Sequence, residues 1–304
     1  MTTDTPRALF AGLLLLASLA TVRPTLAAQD APDLLKKQRE AVTANLKAGK
    51  LTFNTVETPE LLVSGPYPAA QLARVAGEVQ KAYAAAILAL KFTAKDDPIP
   101  GKLAVYIVTE PKQHKIFLLQ AFKRAPRVHE AVDLQLRGEA PYVVLNAGAD
   151  EKPSEASVTA QASRAVAAAL LNIKAGTTTA DVGLPTWLET GFGNAVTLRA
   201  EGNATKLAAH KARVRGLVVK TRGLALQLPT VWGENPSPES DTVVTSFVEY
   251  LVYGPGADKF SAILAALKPS EGNDSPTIGT AFTAVDWKPE AIEAAWRKWA
   301  TTGK

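Results

Sequence analysis

Apolar side chains along this chain change their spacing twice, and each change marks a different kind of element. From about Pro68, Leu72, Val75, Val79, Tyr83, Ile87 and Leu90 recur at steps of three and four, the spacing of one buried helical face. The run GKLAVYIVT, residues 101 to 109, is continuously apolar and β-branched and predicts a central strand covered on both faces. LTFNTVE and ELLVSG are β-rich runs separated by Thr58 and Pro59, which predicts a hairpin at a sheet edge. PYVVLNA, residues 141 to 147, predicts a further strand. Helices are expected in DAPDLLKKQREAVTANLKAG, ending at Gly49, and in PKQHKIFLLQAF, opened by Pro111.

From Ser154 onward the pattern is helical almost throughout. SEASVTAQASRAVAAALLNI is an alanine-rich helix that Ser154 can cap, ending near KAGTTTADVG. Further helices are expected at 185 to 200, about 203 to 222, 242 to 253, 256 to 267 and 289 to 300, with the proline-rich turn GENPSPESD between them. There is no internal repeat and no low-complexity linker. The expectation is an α+β protein. A helix at 28–49 precedes a lobe with a small mixed β-sheet at 50–176, which ends in an interior helix, and a mostly helical lobe follows at 177–304.

Composition adds a compartment. After Asp4 and Arg7, ALFAGLLLLASLA (8–20) is uniformly apolar, too short to span a bilayer, and followed by small residues. It predicts a secretory signal peptide cleaved after Ala20 or Ala27, the latter favoured because the chain turns polar and helical from Gln29. The mature chain is then expected to have no transmembrane segment and to be exported, periplasmic or extracellular. The absence of cysteine removes disulfides, thiolate metal sites and thiol nucleophiles, and suits a bacterial exported protein. The formal charge is +5 and the isoelectric point about 9.2, but the cations are interleaved with acids and form no basic stripe with aromatics, so nucleic acid is not an expected partner.

The order of elements carries a family resemblance. In LPTWLETGFGN (184–194), Pro185, Trp187, Leu188 and Gly191 match a pattern close to P-x-W-L-x-E-G-x-A. SFVEYLVYGPGADKFSAILAALK (246–268) and PEAIEAAWRKWA (289–300) resemble the helix, Y-G turn and closing helix that follow it. The chain thus resembles the gluzincin zinc metallopeptidases, in particular the exported bacterial peptidase MA-like families, over roughly residues 50 to 300. The resemblance implies a thermolysin-like architecture whose active-site helix bears H-E-x-x-H, two zinc-binding histidines one turn apart and a glutamate base.

Residue by residue, that chemistry is missing. In the corresponding helix Gln161 takes the place of the first histidine, Ala162 of the glutamate and Ala165 of the second histidine. Residues 156 to 188 contain no histidine and no glutamate in any register. The third-ligand glutamate falls on Thr190, and Glu189 is displaced by about 100° and about 1.5 Å along a helix. Glu189 is therefore expected to be a first-turn acid stabilised by the helix dipole, facing solvent or the cleft rim. Trp187 is expected to anchor the core, in one apolar stripe with Leu188, Gly191, Phe192, Ala195 and Leu198. Gly191 and Gly193 are expected to permit close helix approach.

His129, Glu130 and Asp133 stand at H-E-x-x-D spacing, but just before a strand and with no second histidine nearby, which favours a loop or edge strand over a metal site. No G-x-S-x-G, P-loop or G-x-G-x-x-G is present. The expected function is that of a catalytically inactive, peptidase-like exported protein without metal or other cofactor. It would bind peptide or a cell-envelope protein in a vestigial cleft lined by Gln161, Arg164, Glu189 and Thr190. An active hydrolase with its site displaced to His129, Glu130 and Asp133, and a purely structural envelope component, are the alternatives.

Overall fold

A computed structural model of the chain describes residues 31–93, 95–126, 131–149, 153–177, 184–220, 238–268 and 276–303. The segment expected to be a signal peptide, and His129 and Glu130, lie outside the described residues. The fold is α+β, a five-stranded mixed sheet followed by a mostly helical region.

The sheet order is β1 (Asn54–Glu57), β2 (Leu61–Gly65), β3 (Leu103–Val108), β5 (Tyr142–Asn146), β4 (Val132–Gln135). β2, β3 and β5 are parallel and the two edge strands antiparallel. The hairpin lies at an edge and the GKLAVYIVT strand at the centre, as the sequence predicts. Every residue of β2 and β3 is buried, because helices cover both faces of a parallel sheet. The two-residue period divides them. Leu61, Val63, Leu103, Val105, Ile107, Val143 and Leu145 join the main core with α2 (Ala69–Ala89) and α4 (Glu155–Ala175). Leu62, Ala104, Tyr106, Val108 and Val144 face α1 (Ala31–Ala48) and α3 (Pro111–Ala121), in a second core around Phe117 and Leu118.

The polar α1 is tied to the sheet by Gln38. Its amide donates to the Pro100 and Glu139 carbonyls, each at 2.9 Å, and accepts from the Lys102 N–H at 2.8 Å. Two segments 101 residues apart are thus joined through one buried side chain.

The helical region begins with α4. Ser154 caps it, its Oγ accepting from the Ser157 N–H at 3.1 Å, and Gly176 ends it at φ +83°. Next come α5 (Thr186–Ala200), α6 (Ala204–Lys220), α7 (Pro238–Tyr253), α8 (Phe260–Ala266), α9 (Ile278–Ala284) and α10 (Pro289–Thr302). The helix expected from 242 starts earlier, at Pro238, with Glu239 and Asp241 in its first turn. The helix expected over 256 to 267 is shorter, since bonds from Gly254 and Gly256 N–H to the Tyr250 carbonyl make a turn before Phe260. α9 was not marked by the sequence pattern; Thr277 caps it through the Thr280 N–H.

One main core runs from Leu61 in the sheet to Trp296 in α10, so the sheet-bearing and helical halves share their packing. At its centre is α5. The expected single apolar stripe is a correction here. Trp187, Leu188, Gly191, Phe192, Gly193, Ala195, Val196 and Thr197 are all buried, while Leu198 is only half-buried. A helix enclosed from several sides has no free polar face. Phe192 stacks at 6.3 Å from Phe260 of α8, and Trp187 lies 5.9 Å from Phe247 of α7.

Both glycines of α5 mark close approaches. A Cβ at Gly191 would lie 2.5 Å from Val248 Cγ2 and 3.0 Å from the Val244 carbonyl oxygen of α7. A Cβ at Gly193 would lie 2.9 Å from the Arg164 carbonyl oxygen of α4. Gly191→Ala is therefore expected to destabilise by roughly 1–3 kcal/mol through overpacking, more than the ~1 kcal/mol that alanine gains in a helix. Gly216→Ala in α6, where a Cβ meets nothing within 4 Å, should instead stabilise by roughly 0.5–1 kcal/mol. Urea unfolding of the two variants beside the parent measures both signs.

Candidate functional site

The site expected from the sequence lies along the seam between α4 and α5. The two helices are antiparallel, for Gly193 packs on the backbone of Arg164 while Glu189, earlier in α5, meets Asn172, later in α4. From Arg164 to Asn172 the axial rise is about 12 Å, and from Gln161 to Asn172 about 16 Å, at ~1.5 Å per residue. Gln161 and Arg164 are therefore at a different level of the seam from Glu189. The physical reason is the register of the helix pair, which is fixed where Gly193 admits the α4 backbone.

Each part of the seam has its own polar contacts. Gln161 Nε2 donates to Ser157 Oγ at 3.0 Å, one turn back on its own helix. Arg164 Nη1 donates to Asn194 Oδ1 at 3.2 Å, and Asn194 Nδ2 donates to Thr245 Oγ1 at 3.0 Å. This chain of bonds links α4, α5 and α7. Ala162 and Ala165, which hold the places of the glutamate base and the second histidine in the expected register, are buried in the core. Thr190 is half-buried.

Glu189 differs most from expectation. It is in the first turn of α5 and half-buried, and its carboxylate is turned into the seam. Asn172 Nδ2 donates to Glu189 Oε1 at 2.6 Å and to the Ala168 carbonyl at 3.0 Å, and Thr177 Oγ1 donates to Asn172 Oδ1 at 2.6 Å. Burial raises the Glu189 pKa from 4.5 to about 7, a rise that the Asn172 hydrogen bond partly opposes. The helix dipole expected to stabilise this carboxylate is outweighed by desolvation.

Zinc is the metal that the family resemblance implies, and the donors around Glu189 do not fit it. One carboxylate, one amide and one hydroxyl supply none of the imidazole or thiolate ligands on which such sites are built, and both Asn172 side-chain atoms are already hydrogen-bonded within the seam. Among the described residues no three or more His, Cys, Asp or Glu are grouped so as to hold a metal.

Asp133, of the H-E-x-x-D spacing, is on the edge strand β4. It is fully buried, ion-paired with Arg124 and hydrogen-bonded with Tyr142. Its carboxylate serves the edge of the sheet.

At the other end of the seam is a groove of about 460 Å³ between α2, the start of α4, the end of α5 and the start of α6. Thr159, Ser163 and Thr197 line it, with Glu78, Glu155, Glu201 and Lys206 around them, and the Thr159 hydroxyl donates to the Glu155 carbonyl at 2.7 Å. Glu155 is paired with Arg74 at 2.9 Å and Glu201 with Lys206 at 2.9 Å. The Thr197 hydroxyl is buried and has no hydrogen-bond partner among the described residues. A buried polar atom left in this way is costly unless something supplies the bond.

Sequence reasoning missed Asn172, Thr177 and Thr197. Asn172 had one visible signal, a single uncharged polar residue in the apolar run AVAAALLNI. Thr197 had none, since a threonine in a helix is ordinary until its surroundings are known. Compared with known proteins, the chain matches no family description, no curated protein and no solved structure.

The raised pKa of Glu189 fixes a pH effect and its sign. A carboxyl whose folded pKa lies above its unfolded value contributes fully at low pH and loses that contribution as pH rises from about 4.5 to about 7. Glu189→Gln keeps an oxygen acceptor for Asn172 and removes the charge. It is expected to raise stability at pH 8 by roughly 1–3 kcal/mol and to change it little at pH 4.5. Thermal unfolding of parent and variant at the two pH values measures the difference.

Proposed function

We propose that this chain is an exported, non-catalytic protein on a gluzincin-like scaffold, and that it binds peptide segments in the groove where Thr159, Ser163 and Thr197 meet. The observation that carries the binding role is the buried Thr197 hydroxyl in the wall of a polar concavity, without a partner from the described residues. The hydroxyl is covered as the groove stands, and a turn about its χ1 that brings it to the groove lets a peptide carbonyl or amide supply the missing bond. The lining has three carboxylates, Glu78, Glu155 and Glu201, each paired with an exposed cation, Lys81, Arg74 and Lys206, and a cationic segment can take the place of those surface partners.

Support for the scaffold is the order of its elements: a hairpin, a long helix and a central strand precede the two antiparallel helices α4 and α5. Support for the lack of catalysis is the donor set. Glu189, the carboxylate nearest the place of the third ligand, is held by Asn172 instead of facing two imidazoles. The apolar run at 8–20 supports export, and the envelope of a bacterial cell is where peptide or protein partners would be met.

Fluorescence anisotropy with two labelled pentapeptides, Gly-Lys-Ala-Lys-Gly and Gly-Glu-Ala-Glu-Gly, tests the binding. The cationic peptide is expected to bind more tightly. Thr197→Val keeps the side-chain shape, so the melting temperature should hold or rise while affinity falls by roughly 5–10-fold, about 1 kcal/mol for one hydrogen bond. Equal binding of both peptides, or an unchanged affinity in the variant, would sink the groove assignment. Zinc-dependent cleavage of casein by the purified chain, measured beside a chelated control, would overturn the non-catalytic reading; intact casein is expected in both.

A further inference from the structure

A second cavity, at the other end of α4, has a lining of a different kind. It holds about 230 Å³ between the C-terminal ends of α2 and α4 and the face of α8. Its floor is Leu90, Val252, Phe260 and Leu264, all buried. Among the described residues the charged side chains lining it are Lys91, Lys174 and Lys268, with Ser261 as the further polar group, and none is a carboxylate.

The three lysines are placed by the fold. Lys91 follows α2 in a left-handed conformation, φ 53°, and its Nζ reaches only as far as 3.5 Å from the Ala257 carbonyl. Lys174, in the last turn of α4, has its Nζ 4.5 Å from the centre of the Phe92 ring. The stem of Lys268 packs against Gly176, where a Cβ would come within 2.8 Å of Lys268 Cε. Asp96 is near enough to feel the charge of Lys174, but it is exposed and lies outside the lining.

All three lysines sit at helix C-termini, Lys91 after α2, Lys174 in the last turn of α4 and Lys268 after α8, where the dipole favours a cation without any ligand. The dipole does not account for the concave apolar floor beneath them. Aliphatic stems along the walls, ammonium groups above and a hydrocarbon base make a site with one apolar and one cationic end. We propose that this cavity binds a small amphiphilic anion, a carboxylate carried on a hydrocarbon chain of medium length. The volume is that of about eight waters at roughly 30 Å³ each, which accommodates a ligand of on the order of ten non-hydrogen atoms and excludes a full-length lipid.

Isothermal titration calorimetry of the full chain with sodium octanoate tests this, with 1-octanol and inorganic phosphate as comparison probes. Octanoate should bind with a dissociation constant of about 0.1–1 mM. 1-Octanol should bind at least about tenfold more weakly and phosphate not measurably. The double variant Lys174→Gln, Lys268→Gln should weaken octanoate at least about tenfold, and Ser261→Phe, which fills the mouth while leaving the lysines in place, should abolish it. Circular dichroism confirms that each variant is folded. No octanoate binding up to 10 mM, equal binding of 1-octanol, equal binding of phosphate, or an unaltered Ser261→Phe would each overturn the proposal. Peptide binding at the Thr197 groove is unaffected by any of these outcomes, because the two cavities share no lining residue.

Discussion

The constraint on which the rest of this structure depends is the enclosure of α5. Gly191 lets α7 approach to side-chain contact, Gly193 admits the α4 backbone, and Trp187 and Phe192 fill the spaces beside Phe247 and Phe260. Helix faces brought this close cannot slide, since each knob stands in a space that only a missing Cβ provides. The register of α4 on α5 follows. That register sets Glu189 opposite Asn172 and leaves Arg164 to bond with Asn194.

From the same register come the two ends of α4. Its start, together with the end of α5, forms the hydroxyl-lined groove; its end, together with α2 and α8, forms the lysine-lined cavity. The sheet contributes by holding α2 and α4 against one face, with α1 and α3 closing the other. A polar helix such as α1 is held there because Gln38 satisfies backbone groups of the segments that lead into β3 and β5, which burial would otherwise leave without partners.

The balance at Glu189 shows how local and tertiary electrostatics compete. A carboxylate in a first helical turn is stabilised by at most about 1 kcal/mol at an exposed surface. Taking it out of water costs more than that, and one amide donor offsets only part of the cost. Hence the pKa rises to about 7 although the helix position alone would lower it.

Periodicity in the sequence determined the elements. The three-and-four spacing from Leu72, the apolar run over β3, the Ser154 cap and the hairpin around Pro59 each act over a few residues, so they could be read before any contact was known. The sequence also determined that no histidine or glutamate stands between 156 and 188, and with that the lack of a metallopeptidase motif on α4. Tertiary structure alone decided which residues share a level of the seam. Gln161 and Arg164 were legible as polar positions on α4, but their distance from Glu189 depends on where Gly193 docks, a contact across 29 residues of chain. Asn172 became Glu189's partner, and the Thr197 hydroxyl a buried one, only when α2, α4, α5 and α6 were brought together, because burial is a property of the assembled neighbours.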